Sequence, residues 1–176
     1  MKRGTYRAEI MAVIAALFAL AGPARASGSA YASGASVFAA NCAVCHQSGG
    51  EGVQGVYPRL AETIGRWVKL PAGRAYLVHV VAFGMTGAIV SQGETYNGFM
   101  QPWTQLSDAQ IADVLNYILT GLNAQILPAS FRPYTAAEVK RLRASSESFD
   151  QVRAERATIV KAPGPSAMLP SAARAH

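Results

Sequence analysis

The sequence predicts an all-α protein with long connecting loops, and three observations carry that expectation. Ser107 and Gln110 form a capping box ahead of Ile111, Val114, Leu115, Ile118 and Leu119, an apolar stripe at helical spacing. Residues Leu70 to Val81 are mostly apolar and long enough for a helix, which the glycines of Gly84-Met85-Thr86-Gly87 would break. No strand-like alternation of useful length and no internal repeat interrupts this picture.

The chain has 176 residues. Residues 1–26 read as a secretory signal: Lys2, Arg3 and Arg7 precede the apolar run Ile10 to Leu20, and Ala24-Arg25-Ala26 offers a cleavage point. The competing reading is a retained anchor, but the run is shorter than the ~20 residues a span needs and ends at Gly22-Pro23. No membrane span is then expected after cleavage. Removal of residues 1–26 lowers Lys+Arg from 16 to 12 and Asp+Glu from 10 to 9, so the net charge drops from +6 to +3. That residual charge lies mostly beyond residue 131, and no groove-binding motif accompanies it, which argues against nucleic acid as a partner.

Residues 27–32 are small and polar, as for a flexible start, and a short helix is expected over Ser33 to Ala40 with Gly34 and Phe38 on one face. Gly49 to Gly55 and the following Tyr57-Pro58-Arg59-Leu60 read as loop, and Val90 to Gly98 as a second loop. The helix capped at Ser107 is expected to stop before Gly121, and Thr135 with Glu138 starts another near Ala136. Pro163, Pro165 and Pro170 among alanines and serines cannot build a core. The expected organisation is therefore a signal (1–26), one domain (27–131), a helical C-terminal extension (132–160) and a disordered Pro/Ala-rich tail (161–176).

Cys42-Ala43-Val44-Cys45-His46 contains the only two cysteines. Two thiols one helical turn apart suit the two vinyl groups of a haem, and the adjoining imidazole suits its iron: this is the attachment pattern for haem c. A disulfide, a redox dithiol or half of a zinc site would each need a context missing here, such as a βαβ pattern or a second ligand pair.

With these residues the stretch from about 31 to 122 resembles the class I c-type cytochromes, and is especially similar around Met100 and Trp103 to cytochrome subunits of bacterial periplasmic dehydrogenases. The resemblance implies a haem-centred helical fold in which Gly34, Phe38 and Tyr117 mark the crossing of the first and last helices. It implies His46 and Met100 as the axial ligands, the latter from the string Tyr96-Asn97-Gly98-Phe99-Met100-Gln101-Pro102-Trp103. Gln101 departs from the proline of many relatives. Met85, Met168, His79 and His176 are the other candidate ligands, with Met85 next in order. Pro58, twelve residues after His46, matches the family's carbonyl partner for the proximal imidazole, and Leu60 its haem-packing leucine. Arg59, Tyr57 and Trp103 are placed near the haem, or equally as a surface arginine and core aromatics.

No Ser-His-Asp pattern, phosphate-cradling loop or marked carboxylate pair appears. The expected role is therefore electron transfer rather than catalysis: single electrons taken in the periplasm from a dehydrogenase and passed towards an oxidase or another cytochrome. The alternative is a haem enzyme or a ligand-binding haem protein, for peroxide or a diatomic gas, with a labile sixth ligand. Lys140, Arg141 and Arg143 either guide docking on an acidic partner or solvate a helix.

Overall fold

A computed structural model of the chain describes residues 26–161, with side chains from residue 28 onward. Residues 1–25 of the expected signal (1–26) and residues 162–176 of the expected tail (161–176), with Met168 and His176, lie outside the described residues. Ala26 to Ala30 belong to an N-terminal unit; the fold that follows is that of the unit beginning at Tyr31.

Among the described residues, six helices and one hairpin make the fold. Helix α1 runs Ala26–Asn41, starting earlier than expected because Ala30 and Ala32 favour helix over a flexible lead-in. It is followed by the single turn α2, Ala43–His46, and, after a long loop, by a short tight turn over Trp67–Lys69 and α3, Pro71–Phe83. Pro71 sits at the N-terminus of α3, where its missing N–H costs nothing, and Gly84 ends it, donating its N–H to the Val80 carbonyl at φ 74°.

Two strands replace the expected second loop. β1 (Met85–Ser91) and β2 (Glu94–Met100) pair antiparallel in a register that sets Met85 opposite Met100. The turn between them is Gln92-Gly93, with φ of 53° and 85°, a two-residue connection of the mirror-image kind that matches strand twist. The fold is thus mostly helical with a small sheet, rather than helical throughout.

α4, Asp108–Tyr117, has the capping box its sequence announces: Gln110 N–H donates to Ser107 Oγ at 3.2 Å and Ser107 N–H to Gln110 Oε1 at 2.9 Å. Its stripe is buried completely or nearly so, from Ile111 and Val114 through Leu119. Gly121 does not end this helix. The backbone continues through a wider π-type turn, Ile118–Leu122, and stops at Asn123. Gly121 instead makes room for Tyr31, whose hydroxyl would lie 2.9 Å from an added Cβ. The helix crossing falls at Gly34: an added Cβ there would overlap the Asp113 carbonyl and lie 2.8 Å from Tyr117 Cβ. Phe38 and Tyr31 pack their rings at 5.4 and 5.2 Å from that of Tyr117.

The extension is folded onto this core. α5 (Ala136–Leu142) is capped by Thr135, which accepts the Glu138 N–H, while the Glu138 carboxylate turns away to grip Arg74 of α3 at 2.8 and 2.9 Å. Asn116 of α4 and Tyr134 exchange two side chain–backbone hydrogen bonds, at 2.7 and 3.0 Å. α6 (Phe149–Lys161) lies on α3 and on β1. Val139, Val152 and Ile159 join Ile111 and Leu115 in one buried cluster. Among the described residues no helix is long and apolar enough to cross a membrane.

Candidate functional site

The thiol-bearing turn begins where α1 ends. Cys42 N–H donates to the Phe38 carbonyl at 2.8 Å, and the Cys42 carbonyl then accepts from Cys45 and His46 at 3.2 and 2.8 Å. One helical turn therefore separates the two thiols, both half-buried and unbridged. Burial, with a smaller contribution from Cys45, pushes the Cys42 thiol up to about 11, so it is held as the neutral group.

Gln47, at φ 62°, turns the chain out of the helix, and the glycine-rich loop brings it back. Gly52 N–H donates to the His46 carbonyl at 2.9 Å. Its φ is 68°, and a Cβ would strike the backbone of Tyr57 and Pro58, so only glycine fits. This return places the Pro58 carbonyl 2.9 Å from His46 Nδ1. A carbonyl can only accept, so Nδ1 carries the proton and Nε2 is left with a lone pair for a metal. Burial draws the His46 pKa below its usual value, outweighing the opposing effect of Pro58, and this too favours the neutral, ligating imidazole.

The hairpin supplies the other wall. Gly84 packs so closely on the backbone of Met100 to Pro102 that a Cβ would lie 2.8 Å from Pro102 N, and Trp103 N–H then donates to the Val81 carbonyl at 3.0 Å. Met85 and Met100, opposite one another in the register, share one face of the sheet. Between these walls is a cavity of about 310 Å³. Cys42, Cys45, His46, Tyr57, Pro58, Met85, Phe99, Met100 and Trp103 all line it. Of the residues singled out from the sequence, Arg59 and Leu60 do not. Arg59 donates to the Ala61 carbonyl at 2.9 Å and to Glu62 at 3.0 Å, and Leu60 packs half-buried against the core. His79 lies elsewhere, on α3, bonded to Glu155 and Leu142.

Asn123, fully buried, was not legible as a site residue, yet it holds the loop that follows Pro58. Its Oδ1 accepts from the N–H groups of Thr63, Ile64 and Gly65 at 3.0–3.1 Å, and its Nδ2 donates to the carbonyls of Leu60 and Ile118. Met85, first considered only as a second candidate ligand, is a buried part of the cavity wall, its sulfur 3.9 Å from the Tyr76 hydroxyl.

Two free thiols a turn apart, an imidazole with its outer nitrogen committed, and thioethers across an apolar cavity form a donor set that suits a covalently held haem. When bound, that group supplies a reversible one-electron change at iron. The site therefore defines a c-type haem protein. Residues 31–121 match the family model described as Cytochrome c. The chain is 42% identical over 127 residues to cytochrome c-552 of Thermus thermophilus, covering 72% of this chain and 85% of that relative. It is also 36% identical over 90 residues to the cytochrome c subunit of a quinone alcohol dehydrogenase from Gluconobacter oxydans, half of this chain but 18% of that relative. The chain belongs to the cytochrome c family, electron-transfer proteins that carry covalently attached haem c.

Proposed function

We propose that this cytochrome c carries single electrons in the periplasm from a dehydrogenase towards an oxidase or another cytochrome, as a shuttle or as a dedicated subunit. In this reading Cys42 and Cys45 form the thioether links, His46 and Met100 are the axial ligands, and Pro58 orients the proximal imidazole. The basic start, apolar run and Ala-Arg-Ala site over residues 1–26 support export. The relatives include a dehydrogenase's cytochrome subunit, which favours a dehydrogenase as the donor.

The observation that carries the proposal is the rim of the cavity. Val44, Val56 and Phe99 line it while remaining 76%, 54% and 60% exposed, and none of its lining residues is Asp, Glu, Lys or Arg. An enzyme acting on a charged substrate would place carboxylates or cationic side chains there. An apolar, uncharged rim fits brief docking of another protein's surface over a cofactor edge, with no chemistry beyond the electron. Met100, set on a strand rather than a free loop, is held at the cavity wall by the register with Met85 and by the packing of Gly84, which supports this reading.

Absorption spectra of the native protein and of Met100→Ala test the reading. The oxidised native protein should show the sulfur-to-iron charge-transfer band and resist cyanide, and the reduced protein should resist carbon monoxide; Met100→Ala should lose the band and bind cyanide when oxidised and carbon monoxide when reduced. Ready ligand binding by the native protein would refute it in favour of a haem enzyme or gas-binding role.

A further inference from the structure

We propose that His79, Glu147 and Glu155 form a binding site for a divalent cation of the zinc type, distinct from the haem cavity, that fastens α6 to α3. The three side chains offer ligand atoms that all lie within 4.8 Å of one another. His79 is buried on α3, and Glu147 and Glu155 are half-buried, on the turn before α6 and on α6 itself.

The hydrogen bonds of His79 require a positive species at this point. Its Nε2 lies 2.9 Å from the Leu142 carbonyl, which can only accept, so Nε2 carries a proton. In the neutral imidazole that leaves a lone pair on Nδ1. Yet Nδ1 faces both oxygens of Glu155, at 2.9 and 3.0 Å. Two acceptors cannot meet at that distance without a cation between them, either a proton or a metal ion.

Charge decides between the two. A proton makes an imidazolium beside two carboxylates and leaves one negative charge over. Among the described residues no ion pair reaches Glu147. Arg143 pairs with Asp108 and Arg153 with Asp150, while Arg156 bonds uncharged groups, the Val90 carbonyl and the Trp67 ring, and none of the three forms an ion pair with Glu147. A dication with neutral His79 and both carboxylates is balanced, and a partly buried site favours the balanced arrangement.

The donor chemistry agrees. Imidazole nitrogen and carboxylate oxygen are both zinc ligands, and a site with three protein ligands keeps its fourth position open to water. The Leu142 carbonyl on the far nitrogen is the usual means of orienting a metal-bound histidine. Zinc distances of about 2.0–2.2 Å require the half-buried Glu147 and Glu155 side chains to rotate inward. The site also reaches the haem side indirectly, because α6 carries Phe149, stacked edge-on to Phe99 at 5.5 Å, and Arg156, bonded to β1 at the Val90 carbonyl.

The test is to treat the haem-loaded protein with a chelator, then add zinc chloride alone, measuring bound metal by equilibrium dialysis and unfolding by far-UV circular dichroism. One zinc per chain should bind and raise Tm. Glu147→Gln, which leaves both His79 hydrogen bonds in place, should weaken binding at least about tenfold and abolish the zinc-dependent rise, with the metal-free Tm unchanged. His79→Gln should weaken binding equally, and His176→Ala should leave it intact. Absence of stoichiometric binding, or equal affinity in Glu147→Gln, would overturn the proposal and leave a proton as the bridging charge.

Discussion

Replacing Asn123 with alanine should be among the most damaging single changes outside the haem motif. The substitution removes one acceptor that serves three N–H groups, two of them buried and that of Thr63 partly so, and one donor that serves two carbonyls. Each buried bond is worth about 1 kcal/mol net, and a stranded partner costs about 1–3 kcal/mol. The three N–H groups share a single oxygen and are individually weaker, so a total loss of about 4 kcal/mol is expected. At about 3 °C per kcal/mol for a chain of this size, Tm should fall by roughly 12 °C. Urea unfolding of the oxidised haem-loaded protein, followed by far-UV circular dichroism, measures the loss directly. A change below about 1 kcal/mol with an unaltered m value would show that water satisfies the loop, and would refute the view of Asn123 as its anchor.

Three other outcomes are expected. Gly34→Val should force α1 and α4 apart at the Asp113 carbonyl and cost about 3 kcal/mol, read by the same unfolding assay. Glu138→Gln should weaken the hold of α5 on α3 by about 1–2 kcal/mol, because the Arg74–Glu138 pair has two short bonds and its side chains are only 16% and 20% exposed. Burial raises the pKa of both Tyr76 and Tyr134 above the ordinary 10.0. The unfolded chain therefore loses these protons first, so their contribution to stability is full below pH 10 and declines as pH rises above it. In an alkaline titration followed by ultraviolet absorbance, two tyrosines should ionise only together with the loss of folded structure.

What could be read from the sequence was local or set by short spacing. The Cys42 to His46 motif, the box at Ser107 and the stripe behind it are complete within a dozen residues, and the structure forms each of the helices they announce. Gly34 was placed at the helix crossing only by the resemblance to the cytochromes, and the close approach of Asp113 and Tyr117 agrees with it. The hairpin could not. Its strands are exposed along much of both faces, so alternation is weak, and Gly84, Gly87, Gly93 and Gly98 resemble loop punctuation. The available signal was Gln92-Gly93, a two-residue turn flanked by Ile89-Val90 and Thr95-Tyr96. Asn123 left no trace in the sequence, since nothing distinguishes a buried asparagine with five partners from one on the surface. Arg59 was open to two readings, near the haem or on the surface, and its bonds to Ala61 and Glu62 are local contacts of the kind the second reading allows.

The two walls of the haem cavity differ in how far along the chain their parts are drawn. The wall with the thiols and the proximal imidazole closes on itself between Cys42 and Pro58. The hairpin wall is backed by α6 through contacts between Phe99 and Phe149 and between Val90 and Arg156, 50 and 66 residues apart. A ribosome makes the chain from its N-terminus, so the attachment turn and its carbonyl partner exist before the helix that steadies Met100. The order of synthesis thus separates the half of the site that carries the Cys42 to His46 motif from the half that carries Met100.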